Sequence, residues 1–269
     1  MKLETIDITE TDGVAHIELN RSEKANAING QMWKDLRTAF NWLDHSGARV
    51  GVLSGRGKHF TAGIDLALLA GLRLEIAGLS KSERVQRLHA FILDLQECVG
   101  AAEACRKPIL AAIHGACIGG GVDLITACDI RYATADARFS VKEIDLAIVA
   151  DLGTLQRLPR LIGDGLAREL AFTGRSFGGE EALAMRLVNR VFADQEALLS
   201  AVLEAARVIA RKSPATIRGI KQELNYSRDH TVAQGLLHVA KHNASHLFSD
   251  DLAEALAATQ EGRDPRFSD

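Results

Sequence analysis

Segments with the pattern of β-strands alternate with segments of helical pattern over about the first 195 residues, and the strand patterns then stop. Residues 3–10 and 14–19 alternate apolar and polar side chains around Asp12-Gly13, which predicts a hairpin. A helical periodicity over 31–45 and a short apolar strand at 50–53 come next, and another apolar strand follows at 109–113. This order predicts an α/β fold built around a sheet.

Only helices are predicted in the C-terminal part of the chain. Asp194 can cap a helix that runs through Lys212, and Pro214 suits the first turn of the next helix. Further helices are predicted over 230–247 and 250–261. We therefore predict two regions, a core over 1–198 that carries the functional site and a helical region over 199–269.

Composition excludes several classes of function. The formal net charge is −3 with both signs interspersed, so no basic surface for nucleic acid is indicated. No apolar run reaches the roughly 18 residues that a membrane span needs. A small-molecule ligand is expected.

The two ends of the sequence predict a cytoplasmic location. The chain opens on a strand pattern without the regions of a secretion signal, and it ends in F-S-D and not in a peroxisomal S-K-L.

Neither cysteine nor histidine spacing indicates a metal site. The four cysteines fit neither a C-x-x-C pair nor a zinc knuckle and are predicted to be buried thiols: Cys98, Cys105, Cys117 and Cys128. Three histidines recur every four residues on one predicted helix, but no H-E-x-x-H pattern accompanies them: His238, His242 and His246. We predict that the protein holds no metal.

Two glycine-containing loops each follow a strand and precede a helix. They are F-T-A-G-I-D at 60–65 and H-G-A-C-I-G-G-G at 114–121. Helix N-termini expose unpaired N–H groups, and glycine lets a ligand approach them, so the two loops could bind one oxyanion; both could also be tight turns and nothing more. No Walker A loop, G-x-G-x-x-G or G-x-S-x-G motif is present, which disfavours ATP, NAD and a serine nucleophile.

Three acidic residues stand among glycines and aliphatic residues: Asp123, Glu143 and Asp151. Burial raises the pKa of a carboxyl group, and carboxyl groups that share a pocket separate one another's pKa values, so one can serve as acid and another as base. Asp123 could instead be a first-turn carboxylate that stabilises its helix. Glu143 could be a solvated strand end paired with Lys142 or Arg138.

Several segments together resemble the enoyl-CoA hydratase/isomerase (crotonase) family across nearly the whole chain. They are N-R-S-E-K-A-N-A at 20–27, both glycine loops, V-K-E-I-D-L at 141–146, and A-D-L-G-T at 150–154. The resemblance implies a spiral of ββα units with a C-terminal helical trimerisation region, assembled as a homotrimer or homohexamer. It also implies an acyl-CoA thioester as substrate, with no cofactor apart from the coenzyme A that the substrate carries.

The resemblance assigns roles to individual positions. The backbone N–H groups of Ile64 and Gly120 correspond to the oxyanion hole for the thioester carbonyl. Asp123, Glu143 and Asp151 correspond to catalytic positions. Substrate contacts are expected at Lys24, Ala25, Asn26, Ala62, Gly63, Asp65 and Gly119. Gly262 stands where the family often has a lysine near the coenzyme of a neighbouring subunit, so Arg263 or Arg266 would have to replace it.

Two positions resemble one branch of the family in particular. Hydratases typically carry glutamate at the position of Asp123 and glycine at that of Asp151, whereas both aspartates match the dienoyl-CoA isomerases. The resemblance therefore implies conversion of 3,5-dienoyl-CoA to 2,4-dienoyl-CoA in fatty-acid β-oxidation. The alternatives are an enoyl-CoA hydratase or monoene isomerase of the same family, and a non-catalytic acyl-CoA-binding subunit.

Overall fold

The computed structural model describes residues 1–268 and begins with the predicted hairpin. Strands β1 (Ile6–Thr11) and β2 (Val14–Leu19) pair antiparallel, with Thr11 opposite Val14. The turn between them places Asp12 at φ 53° and Gly13 at φ 74°. A left-handed pair at the two central positions matches the twist of the flanking strands, which is why Asp-Gly closes this hairpin.

The hairpin forms one edge of a six-stranded sheet. The strands after the hairpin are β3 (Val50–Gly55), β4 (Ile109–Ile113), β5 (Ala116–Ile118), β6 (Ile130–Thr134), β7 (Arg138–Ser140), β8 (Phe177–Gly178) and β9 (Arg190–Phe192). The order across the six-stranded sheet is β1-β2-β3-β4-β6-β9, and every pair after β1-β2 is parallel. A separate three-stranded sheet has the order β5-β7-β8.

Helices cover the sheets and extend the chain beyond them. They are α1 (Gly30–His45), α2 (Leu66–Glu75), α3 (Lys81–Ala104), α4 (Gly120–Thr126), α5 (Thr154–Ile162), α6 (Asp164–Thr173), α7 (Gly179–Ala184), α8 (Gln195–Ala210), α9 (Pro214–Arg228), α10 (Val232–His246) and α11 (Asp250–Glu261). Side-chain caps define many of their starts; Asn29 accepts from the Met32 N–H at 2.8 Å, and Ser80 and Glu83 form a capping box on α3. The predicted α/β class is confirmed.

Apolar residues from both faces of the large sheet are buried. On one face, α1, α3 and α4 pack over the strands in the larger core, where Trp33, Phe40 and Phe139 are almost completely buried. On the other face, α8 packs Leu198 and Val202 against β2, β3 and β4. The sheet is therefore covered on both sides, as parallel sheets require.

The predicted C-terminal helices are present close to their predicted bounds. Asp194 caps α8 by accepting from the Ala197 N–H at 2.8 Å, and Pro214 occupies the first turn of α9. Residue 198, where the sequence predicts the boundary between two regions, lies inside α8. Because α8 packs on the sheet, it forms part of the core by contact, and the two-region division stays a prediction.

Some details of the sequence interpretation differ from the structure. The sequence pattern places Val85 on one helix face with Leu95 and Val99, but Val85 is 60% exposed, since the core contact of α3 begins only near Leu95. Glu143 lies on a 3-10 turn (Glu143–Leu146) and not at the end of a strand. All four cysteines are free and buried, as predicted.

The three histidines of α10 have other contacts. His238 Nδ1 lies 2.8 Å from a carboxylate oxygen of Glu223, and the rings of His242 and His246 stack on each other. Among residues 1–268, no group of three or more His, Cys, Asp or Glu side chains is arranged to hold a metal ion. Over the same range, no helix is both long and apolar enough to cross a membrane.

Candidate active site

The two glycine loops lie against each other. Gly63, in the loop before α2, has φ +88°, and a Cβ atom placed on it would lie 2.5 Å from the carbonyl oxygen of Ile118. The same Cβ position is 3.7 Å from the amide nitrogen of Gly120, at the start of α4. Both the backbone angle and the close approach exclude a side chain at this position. Glycine at 63 therefore allows the first loop to reach the second.

Two backbone donors at this contact are unpaired within residues 1–268. They are the N–H groups of Ile64 and Gly120. The neighbouring groups in the first loop are paired with Ile28, whose N–H donates to the Gly63 carbonyl at 2.8 Å and whose carbonyl accepts from the Asp65 N–H at 3.0 Å. The pairing fixes the loop on both sides of Ile64 and leaves its N–H available to a ligand.

A cavity of about 220 Å³ adjoins both donors. Helices α2 and α3 supply an apolar wall: Leu69, Leu72, Leu88, Phe91, Ile92 and Leu95. Ile64 and Gly120 line the cavity, and so do Asp123, Glu143 and Asp151. The structure therefore brings all three predicted acidic residues and both predicted oxyanion-hole residues to one largely apolar space.

Asp123 is the most deeply buried of the three acids. It lies in the first turn of α4 with 1% of its surface exposed, and its Oδ1 accepts a hydrogen bond from the Thr154 N–H at 2.7 Å. Burial raises the pKa of Asp123 to about 6, although the hydrogen bonding by Thr154 lowers it in part. The contact also fixes the start of α5 against α4.

Glu143 extends from the 3-10 turn toward the second glycine loop. A Cβ atom placed on Gly119 would lie 3.1 Å from Glu143 Oε1, so glycine at 119 leaves room for the carboxylate. Its Oε2 is buried and has no hydrogen-bond partner in residues 1–268. Burial, together with the negative charges of Asp123 and Asp151, raises the pKa of Glu143 to about 7. A buried carboxyl group with a free oxygen is a candidate for proton transfer.

Asp151 is half-buried in the segment between the 3-10 turn and α5. Its backbone carbonyl accepts a hydrogen bond from Gln96 Nε2 of α3 at 2.6 Å. Burial raises the pKa of its carboxyl group. Two contacts that sequence reasoning missed therefore position the acids, the Thr154 amide on Asp123 and the Gln96 side chain on Asp151; neither belongs to a motif that would have revealed it.

The predicted substrate-binding turn lies beside the first glycine loop. Ala25 and Asn26 both adopt positive φ angles, and the Ala62 N–H donates to the Ala25 carbonyl at 2.9 Å. Asn26 is completely buried, with its side-chain nitrogen donating to two backbone carbonyls. Asp65 caps α2 through the Ala67 N–H, so its carboxylate is occupied, whereas Lys24 is exposed.

Unpaired backbone donors beside buried carboxyl groups are suited to stabilising an oxyanion while protons move to and from carbon. The comparisons with known proteins agree with an enzyme of this kind, which stabilises an oxyanion and moves protons to and from carbon. Residues 9–269 match the family model described as "Enoyl-CoA hydratase/isomerase". The chain belongs to the enoyl-CoA hydratase/isomerase family.

Individual relatives cover most of the chain. The human "Delta(3,5)-Delta(2,4)-dienoyl-CoA isomerase, mitochondrial" is 46% identical over 257 residues, which cover 93% of this chain and 77% of that protein. The Arabidopsis thaliana "Delta(3,5)-Delta(2,4)-dienoyl-CoA isomerase, peroxisomal" is 46% identical over 268 residues, which cover 99% and 96%. The crystal structure of an enoyl-CoA hydratase from Bacillus anthracis superposes with a TM-score of 0.87 at 30% identity, covering 98% and 99%.

These relatives confirm the predicted crotonase fold and correct one expectation. The cytoplasmic location expected from the two ends of the sequence is wrong, because these dienoyl-CoA isomerase relatives are named as mitochondrial or peroxisomal proteins. The ends of a sequence alone were a poor basis for that expectation.

Proposed function

We propose that this protein converts 3,5-dienoyl-CoA thioesters to 2,4-dienoyl-CoA thioesters. The observation that carries the proposal is that three acidic residues and two residues with unpaired backbone donors line one apolar cavity. The names of the relatives at 46% identity support the same reaction. Moving the diene into conjugation with the thioester requires loss of a proton at C2 and gain of a proton at C6, so two acid-base groups are needed.

Geometry favours one assignment of the two groups. Glu143 lies next to Gly119 and lines the same cavity as Gly120. The thioester carbonyl would accept hydrogen bonds from the two N–H donors there, so Glu143 is suited to remove the proton from the adjacent C2. The C2–H electron pair enters an extended dienolate, whose oxygen the N–H groups of Ile64 and Gly120 stabilise. Asp151, which is also on the cavity wall, then donates its proton to C6. Asp123 polarises and orients this set of carboxyl groups.

The reaction needs Glu143 ionised and Asp151 protonated at its start. In the ligand-free site the pKa of Glu143, at about 7, is raised above that of Asp123, at about 6, so near neutral pH a proton resides on Glu143 in much of the population. Before the reaction, Glu143 must therefore release a proton and Asp151 must take one up.

Replacing Asp151 by asparagine tests the proposal. We expect Asp151→Asn to retain the fold and coenzyme A thioester binding while kcat on 3,5-dienoyl-CoA falls by about 10²- to 10⁴-fold, the usual contribution of one acid-base group. Asp136→Asn, at an exposed turn, is the matched control and should leave kcat unchanged. Full activity of Asp151→Asn on a 3,5-dienoyl-CoA would contradict the proposed role.

A second candidate within the family is hydration of a 2-enoyl-CoA. The similarity to the Bacillus anthracis hydratase structure and the presence of acids at both 123 and 143 favour testing it. An assay of water addition to crotonyl-CoA separates the two activities. The reaction is monitored through the loss of absorbance of the conjugated thioester. A kcat/KM for hydration above that for dienoyl isomerisation would make hydration the principal reaction.

We further propose that the coenzyme A portion binds along the turn at 24–26 and the first loop, with Lys24 at the phosphates, and that no separate cofactor takes part.

Self-association through the C-terminal helices into a trimer or hexamer is supported by large apolar side chains that are exposed there: Leu224, Val232, Leu236, Leu237 and Phe248. Light scattering after size exclusion tests this assembly, since a monomer at micromolar concentration would contradict it.

A further inference from the structure

A second, polar cavity adjoins the segment that carries Asp151. It has a volume of about 610 Å³, and side chains of α3, α5 and α9 contribute to its wall, including Gln96, Glu103, Gln156, Arg157, Arg160 and Arg228. Four of these side chains, Gln96, Gln156, Arg160 and Arg228, are solvent-exposed, so the cavity opens to bulk water. A polar space of this size accommodates many water molecules.

Asp151 and Leu152 are the residues shared by this polar cavity and the apolar cavity of the proposed active site. Of these two, only Asp151 carries a titratable side chain. Asp123 and Glu143 line the apolar cavity alone. Of the three acids, Asp151 alone borders both cavities, which makes it the candidate for proton exchange between them.

The charged groups of the polar cavity are paired among themselves. Arg157 Nη2 contacts Glu103 at 2.7 Å, Arg228 also pairs with Glu103, and Arg160 contacts Asp229 at 2.9 Å. The ion-pair partners of these three arginines are Glu103 and Asp229, and not Asp151. The carboxyl group at 151 is thus not held in its ionised form by any of these arginines, and it can be protonated from water.

The proposed reaction creates a need for such an exchange. In each turnover the Glu143 carboxylate gains the proton from C2, and Asp151 loses a proton to C6. Before the next turnover Glu143 must release one proton and Asp151 must gain one, so the balance over the cycle is zero. Substrate would fill the apolar cavity that Asp123 and Glu143 line, whereas Asp151 also borders the polar cavity, which opens to bulk water.

We propose that the polar cavity is the proton inlet of the enzyme: water in it reprotonates Asp151, so the hydrogen delivered to C6 comes from solvent and not from C2. The inference rests on the proposed isomerase activity and adds a route for the proton. Gln156, exposed on α5 and outside the apolar cavity, lies at a suitable position for blocking this route.

The test follows the isotope at C6. A 3,5-dienoyl-CoA with deuterium at both C2 positions is converted in ordinary water, and the product is examined by mass spectrometry and NMR. With the wild-type enzyme we expect protium at C6 in nearly every turnover. Gln156→Trp should narrow the inlet, lower kcat by about tenfold and increase severalfold the fraction of product that carries C2 deuterium at C6. Gln222→Trp, on the exposed side of α9 and outside both cavities, should match the wild type.

The outcomes are distinct. Transfer of C2 deuterium to C6 in most wild-type turnovers would overturn the inlet while leaving the isomerase proposal intact. So would a Gln156→Trp variant that equals Gln222→Trp in both kcat and isotope transfer. If Gln156→Trp does not fold, Gln156→Leu supplies the same comparison through loss of the polar wall. Absence of any dienoyl isomerisation would instead refute the proposed function itself.

Discussion

Replacing Glu143 by glutamine should make the protein more stable, and the gain should depend on pH. The pKa of Glu143 is raised from 4.5 to about 7 by burial and by the charges of Asp123 and Asp151. A raised carboxyl pKa means that the folded state holds the proton more tightly than the unfolded state does. Ionisation of Glu143 therefore lowers the free energy of unfolding as pH rises from 4.5 through 7.

The size of the effect follows from that difference. Each unit of pKa corresponds to about 1.4 kcal/mol, which gives about 3 kcal/mol at full ionisation, and partial access of solvent to Glu143 reduces it to about 2 kcal/mol. Glutamine has almost the same shape and no charge. We expect Glu143→Gln to raise the free energy of unfolding by about 2 kcal/mol at pH 8 and by only about 0.8 kcal/mol at pH 5.

The measurement is urea unfolding of both proteins at pH 5 and pH 8, at one fixed protein concentration because association contributes to stability. Glu4→Gln is the matched control, since Glu4 is exposed, and its effect should be close to zero at both values. An equal effect of Glu143→Gln at the two pH values, or a loss of stability at pH 8, would refute the electrostatic argument for a strained carboxyl cluster.

Three further predictions concern the loops, the base and the thiols. Gly63→Ala should lower kcat by about 10²- to 10³-fold, because the new Cβ would lie 2.5 Å from the Ile118 carbonyl oxygen and displace the Ile64 donor. The control Gly78→Ala, whose Cβ would lie in open space, should not lower kcat. A near-normal kcat of Gly63→Ala would contradict the assigned oxyanion hole. The kcat/KM of the wild type should rise with pH through about 7 as Glu143 ionises. Glu143→Gln should lose both this rise and the exchange of the C2 hydrogen with solvent. If the variant still exchanged the C2 hydrogen, Glu143 would not be the base. Burial raises the pKa of the thiols to about 11 for Cys98 and Cys105 and to about 12 for Cys128. All four buried thiols should therefore resist a thiol reagent at pH 8 until the protein is unfolded. Rapid labelling of the native protein would contradict their burial.

Local sequence signals were sufficient for much of the fold. Asp12-Gly13 predicted the hairpin because the turn requires two left-handed residues, and Asp194 and Pro214 marked helix starts by capping chemistry that acts within one turn. Val85 shows where such reasoning fails. Its apolar side chain fits the helical period of α3, but this end of the helix extends past the core, and periodicity alone does not say where a core ends.

The candidate site was partly predictable for a similar reason. The acidic residues and the glycine loops stand out by type, and the family resemblance gave their roles. The support from Gln96 and Thr154 did not stand out, since these residues approach Asp151 and Asp123 from 55 and 31 positions away in sequence. The polar cavity behind Asp151 likewise depends on how α3, α5 and α9 pack, which no short pattern records.

The hydrogen bond from the Thr154 N–H to Asp123 belongs to a wider feature, because the donors at Ile64 and Gly120 are also main-chain groups. A peptide N–H is present at every residue except proline, so substitutions at these positions can alter packing without deleting the donor. Natural variation can therefore exchange the carboxyl groups at 123, 143 and 151, and with them the reaction, while the main-chain framework that we propose holds the thioester persists. Such a scaffold is well suited to diversification by a few side-chain changes.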